Sequence, residues 1–427
     1  MAPIKAALLG FGTVGQGVYE ALKTHREQLK SVLGEEVIIE AILVKDGAKK
    51  RDVDEHILVT TDFEEVLNIP DLQIVFEAIV GEEPGFTYLS KAIEKGCRVI
   101  TANKVMFARH GKTLLEKAEE AGVSVGYEAT TAGGTPIIRS ISQLLQVNDI
   151  LSVEAILNGT SNYILSNMRE KGLTFEEVLR KAQELGYAEA DPVNDVEGFD
   201  AFYKLMILSE LSFGSSPNWD EVERKGITEV SSEQIEVFSR WGFKVKHLAR
   251  IKSDRGHFTA SVKPVLVDAE HPLYGVEDVQ NAIMVETSLA GKVTVQGAGA
   301  GKLPTASAMV EDLTYVLQGH SGGSVARKKQ SVLKADSSGR KSVVGSFVGE
   351  YAVIGPSVGF NGSDDIQLLK QDVRGDLVYL LIRCEEKTAE SLKTNSDLVV
   401  YEVAGKLKPA EVKVEERDLV LQRVINL

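Results

Sequence analysis

The strongest constraint on this chain is a glycine pattern at its start. Gly10-Phe11-Gly12-Thr13-Val14-Gly15 follows an apolar run over 4–9 and opens an amphipathic stretch over 14–29. A buried strand, a glycine turn and a helix in that order form the context that gives G-x-G-x-x-G its meaning. Gly10 permits the tight turn. Gly12, without a Cβ, lets a pyrophosphate approach the backbone. Gly15 lets helix and strand pack closely. The helix N-terminus then offers free N–H groups and a favourable dipole to the anion. Further strands are expected over 37–44, 72–80, 98–101 and 123–128, with a helix over 88–95. Strands alternating with helices predict a doubly wound parallel sheet.

The second strand bears on the choice of cofactor. An acid at its end binds the ribose hydroxyls of NAD. Here Lys45 precedes Asp46, and Lys49, Lys50 and Arg51 follow. The cluster, Lys45 and Arg51 in particular, favours the extra phosphate of NADP, with NAD as the alternative. A solvated basic loop is the competing reading.

After residue 135 the texture changes. Helices are expected over 137–145, 175–185, 198–211 and 304–317, a strand over 153–157, and a mostly antiparallel sheet over 258–295. Residues 319–347 are rich in Gly, Ser, Lys and Arg, and 321–347 read as a linker. The expected plan is an α/β protein in three parts. A Rossmann domain spans 1–135 and is completed by 297–320. An α+β catalytic and dimerisation domain spans 136–296. A small C-terminal module spans 348–427.

Composition narrows the partners. The net charge is −14, from 48 basic and 62 acidic residues, which argues against nucleic acid or an anionic membrane as partner. Two cysteines, Cys97 and Cys384, form no metal spacing or disulfide framework, so a cytoplasmic setting is expected. No apolar run is long enough to span a bilayer.

Several polar groups could carry chemistry. Asp200 and Lys204 are four apart at the start of an apolar helix and share a face. A lysine beside an acid near a buried helix can hold and donate a proton. An ordinary surface pair is the commoner outcome of that spacing. Lys104 follows the strand over 98–101, where strand C-terminal ends line the cofactor crevice. Glu128 precedes a tight turn whose carbonyls could hold a hard monovalent cation, or the acid could simply tie the turn. The seven histidines form no metal-type cluster.

Taken together, these stretches resemble the homoserine dehydrogenases. The match runs through the glycine turn, Thr101-Ala102-Asn103-Lys104, Tyr127-Glu128-Ala129 into Gly133-Gly134-Thr135-Pro136, and Asn158-Gly159-Thr160-Ser161-Asn162-Tyr163. It continues through Gly186-Tyr187-Ala188-Glu189-Ala190-Asp191-Pro192, Asp195, Asp200 and Lys204, then His271-Pro272-Leu273 and the glycines from Gly297 to Gly301. It covers about residues 4–320. The resemblance implies NAD(P)-dependent interconversion of L-homoserine and L-aspartate 4-semialdehyde, on the threonine and methionine branch of aspartate-derived synthesis. By similarity, Lys204 is the proton donor and Lys104 a second catalytic or cofactor-side cation. Glu189, Asp200 and Asp195 bind substrate. Gly186 and Gly301 touch the cofactor beside Phe11, Thr13 and Val14. Sodium is held by Glu128 and by the carbonyls of Thr131, Gly133 and Thr135. A homodimer or higher homo-oligomer is also implied. The chain departs from the family at Val105-Met106-Phe107-Ala108 and at the strand end near Gly81. Residues 348–427 lack the usual start of a regulatory ACT domain and form either a diverged relative of it or another fold. The rival functions are an NADP-linked dehydrogenase of a related amino-acid aldehyde and a nucleotide sensor that has lost catalysis.

Overall fold

The β-branched runs of the first third form a six-stranded sheet. A computed structural model of the chain describes residues 3–254, 257–318, 348–356 and 366–404. Strands β1 (Ile4–Leu9), β2 (Val37–Leu43), β3 (Leu58–Thr60), β4 (Leu72–Glu77), β5 (Arg98–Thr101) and β6 (Val125–Gly126) pair in parallel in the order 3-2-1-4-5-6. That is the order of a dinucleotide-binding sheet, with its ligand crevice beyond the strand C-termini, between β1 and β4. Helices α1 (Thr13–Thr24), α2 (Arg26–Leu33), α3 (Phe63–Leu67), α4 (Gly85–Glu94) and α5 (Lys104–Ala121) alternate with the strands.

Of the boundaries that differ from the expected ones, three have a clear local reason. The helix expected over 14–29 breaks at His25, where the Thr24 hydroxyl donates back to the Glu20 carbonyl at 2.8 Å. The fourth strand stops at Glu77, not residue 80, because the Glu77 carboxylate captures the Ile79 N–H at 2.8 Å and turns the chain. The strand expected over 123–128 is only two residues long. A short 3-10 turn over Glu128–Thr130 ends it.

The middle of the chain supplies α6 (Ile137–Leu144), β7 (Ile150–Ile156), α7 (Gly159–Lys171), α8 (Phe175–Glu184), α9 (Val193–Val196), α10 (Phe199–Phe213), β8 (Glu223–Arg224), α11 (Ser232–Arg240), β9 (Lys244–Asp254), β10 (His257–Val267), β11 (Gln280–Thr287) and β12 (Gly291–Ala298). Helix α12 (Lys302–Leu317) then returns to pack on α1, where a Cβ on Gly17 would meet the Lys302 carbonyl at 2.6 Å. The tail adds β13 (Val348–Pro356), β14 (Gln367–Arg374), β15 (Leu377–Glu385), α13 (Glu386–Lys393) and β16 (Val399–Ala404).

The tail does not stand apart from the middle region. Its strands continue the second sheet, ordered β12-β11-β7-β9-β10-β16-β13-β15-β14, with β16 parallel to β10 at Leu266↔Val403 and Val267↔Ala404. Charge and packing both hold the seam. Glu402 pairs with Arg250 and, at 2.6 Å, with Lys263. Tyr401 meets Phe238 edge-on at 5.2 Å and donates to Gln234 at 2.9 Å. Burial alone would raise the Glu402 carboxyl, but Arg250 and Lys263 outweigh it and hold the group far below the carboxylate range. The linker expected over 321–347 lies outside the described residues. No helix among the described residues is long and apolar enough to cross a membrane.

The glycine turn makes a direct stability prediction. A Cβ on Gly15 would lie 2.2 Å from the Gly10 carbonyl, whereas one on Gly12 would meet nothing within 4 Å. Gly15→Ala is expected to cost about 1–3 kcal/mol in urea unfolding, the usual scale of overpacking. Gly12→Ala should change it by less than about 0.5 kcal/mol.

Candidate active site

The site is assembled where α5, α7 and α10 converge. Helix α10 starts after Gly198, whose left-handed φ of 80° makes the corner, and a Cβ there would press on His247 at 3.0 Å. The first turns of α10 then carry Asp200 and Lys204 inward. Both are buried, at 2% and 7% exposure. Lys204 Nζ donates to Asp200 Oδ2 at 2.7 Å and to the Leu157 carbonyl at 2.8 Å. From α5, Lys104 pairs with the other oxygen, Asp200 Oδ1. Asn158 Nδ2 donates to Asp195 Oδ1 at 2.7 Å and to Asp200 Oδ2 at 2.9 Å. The spacing of Asp200 and Lys204 therefore makes a buried pair, not a surface one.

The electrostatics follow from this arrangement. Burial pushes the Asp200 carboxyl up, but the two ammonium groups outweigh it and hold the acid well below its usual range. Lys204 moves the other way. Burial lowers it, Asp200 raises it and Lys104 lowers it, and the balance leaves it below the ordinary lysine value. Lys104 is raised, chiefly by Asp200. Its side chain keeps 42% exposure, so it faces the opening. Asp195 is raised by burial and by the charge of Asp200. Lys204 is thus a buried ammonium group held below its ordinary value, beside a second one held above its own.

Each of these groups is fixed from behind. Asn158 caps α7 by accepting from the Ser161 N–H at 2.8 Å, which aims its amide at the two aspartates. Ser161 Oγ holds the Asp195 carbonyl at 2.8 Å, and Thr160 Oγ1 holds that of Tyr187 at 2.7 Å. Lys104 begins α5 and is set by its cap, Asn103, which accepts from Met106 N–H at 3.1 Å. The Asn103 amide donates to the Gly81 carbonyl at 2.7 Å and to Glu77 at 3.3 Å. Thr101 closes the group, 2.5 Å from the fully buried Glu77. Burial pushes the Glu77 carboxyl up to about 7.

The remaining sequence-predicted residues are spread along the crevice. Gly10 sits at φ 94° and donates to the Leu43 carbonyl at 2.9 Å. Gly12 caps α1 without a side-chain bond, and Thr13, Val14 and Gly15 form the first turn, so its N–H groups are left for a ligand. Phe11 stands edge-on to Tyr19 at 5.9 Å and lines a cleft of about 510 Å³. Lys49, Lys50, Arg51 and Lys302 line the same cleft. Lys45 does not line it and is exposed. Arg51 is anchored on the carbonyls of Lys49 at 2.6 Å and Asp46 at 2.8 Å. Gly301, at φ 128°, opens α12. Gly186, at φ 76°, is exposed and starts the loop that carries the exposed Glu189. The charge of Glu189 still raises Lys104.

At the residues expected to hold a cation, the Glu128 side chain ties the turn. The Glu128 carboxylate is buried and engaged by the N-terminus of α6. It accepts from Ile138 N–H at 2.7 Å and Arg139 N–H at 3.0 Å, with the Arg139 guanidinium at 3.3 Å. These donors tie the carboxylate to the turn. The Thr135 hydroxyl is buried without a hydrogen-bond partner, and the turn at Gly133 packs under the Gly299 carbonyl. Among the described residues no cluster of His, Cys, Asp and Glu could hold a metal.

Asn158 generates a prediction. Asn158→Ala removes a helix cap and one donor from each of two buried carboxylates, so unfolding should lose about 2–3 kcal/mol.

The comparisons with known proteins concern the family of the whole chain. Residues 136–314 match the homoserine dehydrogenase family model, and residues 10–128 match the model of the homoserine dehydrogenase NAD-binding domain. A homoserine dehydrogenase of Bacillus subtilis is 39% identical over 319 residues, 74% of each chain. The crystal structure of a homoserine dehydrogenase from Thiobacillus denitrificans superposes with a TM-score of 0.80 at 29% identity, covering 94% of this chain and 98% of that one. A hyperthermophilic archaeal homoserine dehydrogenase in complex with NADPH gives a TM-score of 0.65 at 26% identity, over 75% of this chain and 100% of that one. The chain belongs to the homoserine dehydrogenase family of NAD(P)-dependent oxidoreductases.

Proposed function

We propose that the chain interconverts L-homoserine and L-aspartate 4-semialdehyde, with Lys204 as the proton donor at the substrate oxygen. The observation that carries this is the buried Lys204, held by Asp200 and Leu157 beside Lys104. The nicotinamide, when bound, supplies or takes the hydride. In the reducing direction the aldehyde oxygen gains negative charge, and Lys204 Nζ stabilises it and delivers the proton. Lys104, partly exposed and kept charged, steadies the same charge or the substrate's own carboxylate. Both oxygens of Asp200 are engaged, so it aligns the lysines. Asp195 and Glu189 are the carboxylates left for the substrate ammonium. Two lysines against Asp200, Asp195 and Glu189 leave one negative charge, which suits the substrate ammonium.

The glycine turn and the N-terminus of α1 would hold the pyrophosphate. The cleft beyond Phe11 would take the 2′-phosphate of NADPH on Lys49, Lys50 and Arg51, with Lys302 opposite. The archaeal relative bound to NADPH supports the same choice. A monovalent cation at the 131–135 turn would rest on main-chain oxygens of Glu128, Thr131, Gly133 and Thr135. A homodimer and a cytoplasmic setting complete the reading, the latter supported by two buried unpaired cysteines.

Two measurements test this. Lys204→Ala should lower kcat for semialdehyde reduction by about 10²–10⁴ while folding normally. The donor must carry its proton, so reduction should fail as pH rises through the Lys204 pKa, which lies below 10.5. Lys104→Ala removes a like charge and leaves Asp200 to Lys204 alone, so that limb should move to higher pH. A native-like Lys204→Ala protein with wild-type turnover rules out the lysine role. Separately, kcat/KM should favour NADPH over NADH, and reversing Lys50 and Arg51 to Glu should remove the preference. Equal use of both cofactors by the unaltered protein contradicts the phosphate assignment.

A further inference from the structure

Lys204 makes two hydrogen bonds, and the second leads away from the residues discussed so far. Its acceptor, the Leu157 carbonyl, also receives the side-chain amide of Asn281 at 3.0 Å. Asn281 lies on β11, fully buried and 124 residues away in sequence. A carbonyl only accepts, so this contact fixes the orientation of the Asn281 amide: Nδ2 faces Leu157, and Oδ1 is left buried without a partner. The face of that amide is covered by Gly299. A Cβ there would lie 2.1 Å from Asn281 Cγ and 2.3 Å from each terminal atom, so no side chain fits between residue 299 and the amide. Gly299 belongs to the glycine loop that leads into α12, and its carbonyl sits on the Gly133 turn. A continuous stack therefore joins the glycine loop, through Asn281 and one main-chain oxygen, to the Lys204 ammonium.

We propose that Asn281 is a positioning residue for Lys204, acting through the shared Leu157 carbonyl, and that Gly299 is glycine so that the amide can lie there. The inference rests on the reading of Lys204 as proton donor. The ammonium has three protons. Two are fixed by Asp200 and Leu157, which leaves one to aim at the substrate oxygen. A Leu157 carbonyl pinned by Asn281 fixes the direction of that third proton. A carbonyl free to tilt lets the ammonium swing with it. Misplacement by about 1 Å costs a rate factor on the order of 10² without removing any substrate contact. The effect therefore belongs in kcat, not in KM.

The experiment uses Asn281→Ser, Asn281→Asp and Lys204→Ala side by side in the full chain. Asn281→Ser shortens the side chain out of reach of Leu157. Its kcat for semialdehyde reduction is expected to fall about 10- to 100-fold at every pH, with KM for both substrates within about threefold. Asn281→Asp is nearly isosteric. Protonated, the introduced carboxyl donates to the Leu157 carbonyl as the amide does. Ionised, it repels that oxygen. Its kcat should approach the wild-type value at low pH and fall about tenfold or more as the carboxyl ionises, a pH dependence the Ser variant lacks. A purely structural role would instead lower thermal stability and reduce activity in proportion to the folded fraction, with an unaltered pH profile. That result, or wild-type kcat in either folded variant, overturns the proposal. Either variant suffices if the other does not fold. Wild-type turnover in Lys204→Ala overturns the proton-donor reading itself, and so is distinct from failure of the Asn281 role alone.

Discussion

Asp200 sits between two lysines, and the rest of the site depends on that contact. A carboxylate at 2% exposure is costly unless it is paired and hydrogen-bonded on all sides. Lys104 takes one oxygen, and Lys204 and Asn158 take the other. The three donors come from the starts of α5, α10 and α7, so one buried charge ties three helices together. The same contact gives the two lysines unequal roles. Lys204 is dry and sits below its ordinary pKa, whereas Lys104 reaches solvent and stays above its own. The same side chain thus meets two environments, one that lowers its pKa and one that raises it.

The supports behind the lysines come from both sheets. The parallel sheet holds Lys104 through Glu77, Thr101 and Asn103 at the ends of β4 and β5. The larger sheet supports Lys204 through Leu157, just past β7, and Asn281 on β11, its neighbour in the sheet. The glycine loop after β12 and helix α12 then return the chain to α1 and the cofactor turn. The two lysines thus stand on the ends of rigid elements, as the proposed hydride and proton transfer requires.

Much of this was legible in the chain itself. The glycine turn, the strand–helix alternation and the Asp200–Lys204 spacing led to the parallel sheet and to the central pair, because local pattern governs both. Spacing alone could not tell a buried pair from a surface pair. That depended on Asn158 and Lys104 closing over Asp200, and such contacts span 42 and 96 residues. Glu77, Asn281 and Lys302 carried no signal of their own. Each gains its role from a partner that only the fold brings near. Asn103 and Asn158 stood out only within the stretches that resemble the family, because the helices they cap, α5 and α7, were not expected from the pattern. For Glu128 the pattern left two readings, a cation ligand or a tie of the turn, because its backbone donors, the N–H groups of Ile138 and Arg139, are invisible in a pattern of side chains. The tail was expected to form a separate module because a polar stretch precedes it. Its strand β16 instead joins β10, held by Glu402 and Tyr401.

The central claim is geometric: the proton of the reaction sits on Lys204 and not on Lys104 or a water. A crystal structure of the ternary complex with oxidised cofactor and L-homoserine tests it most directly. The account predicts Lys204 Nζ within hydrogen-bond reach of the homoserine side-chain oxygen, about 2.6–3.2 Å, with its bonds to Asp200 and Leu157 kept. A side-chain oxygen that faces Lys104 alone, with Lys204 still closed off behind Asp200, would contradict it.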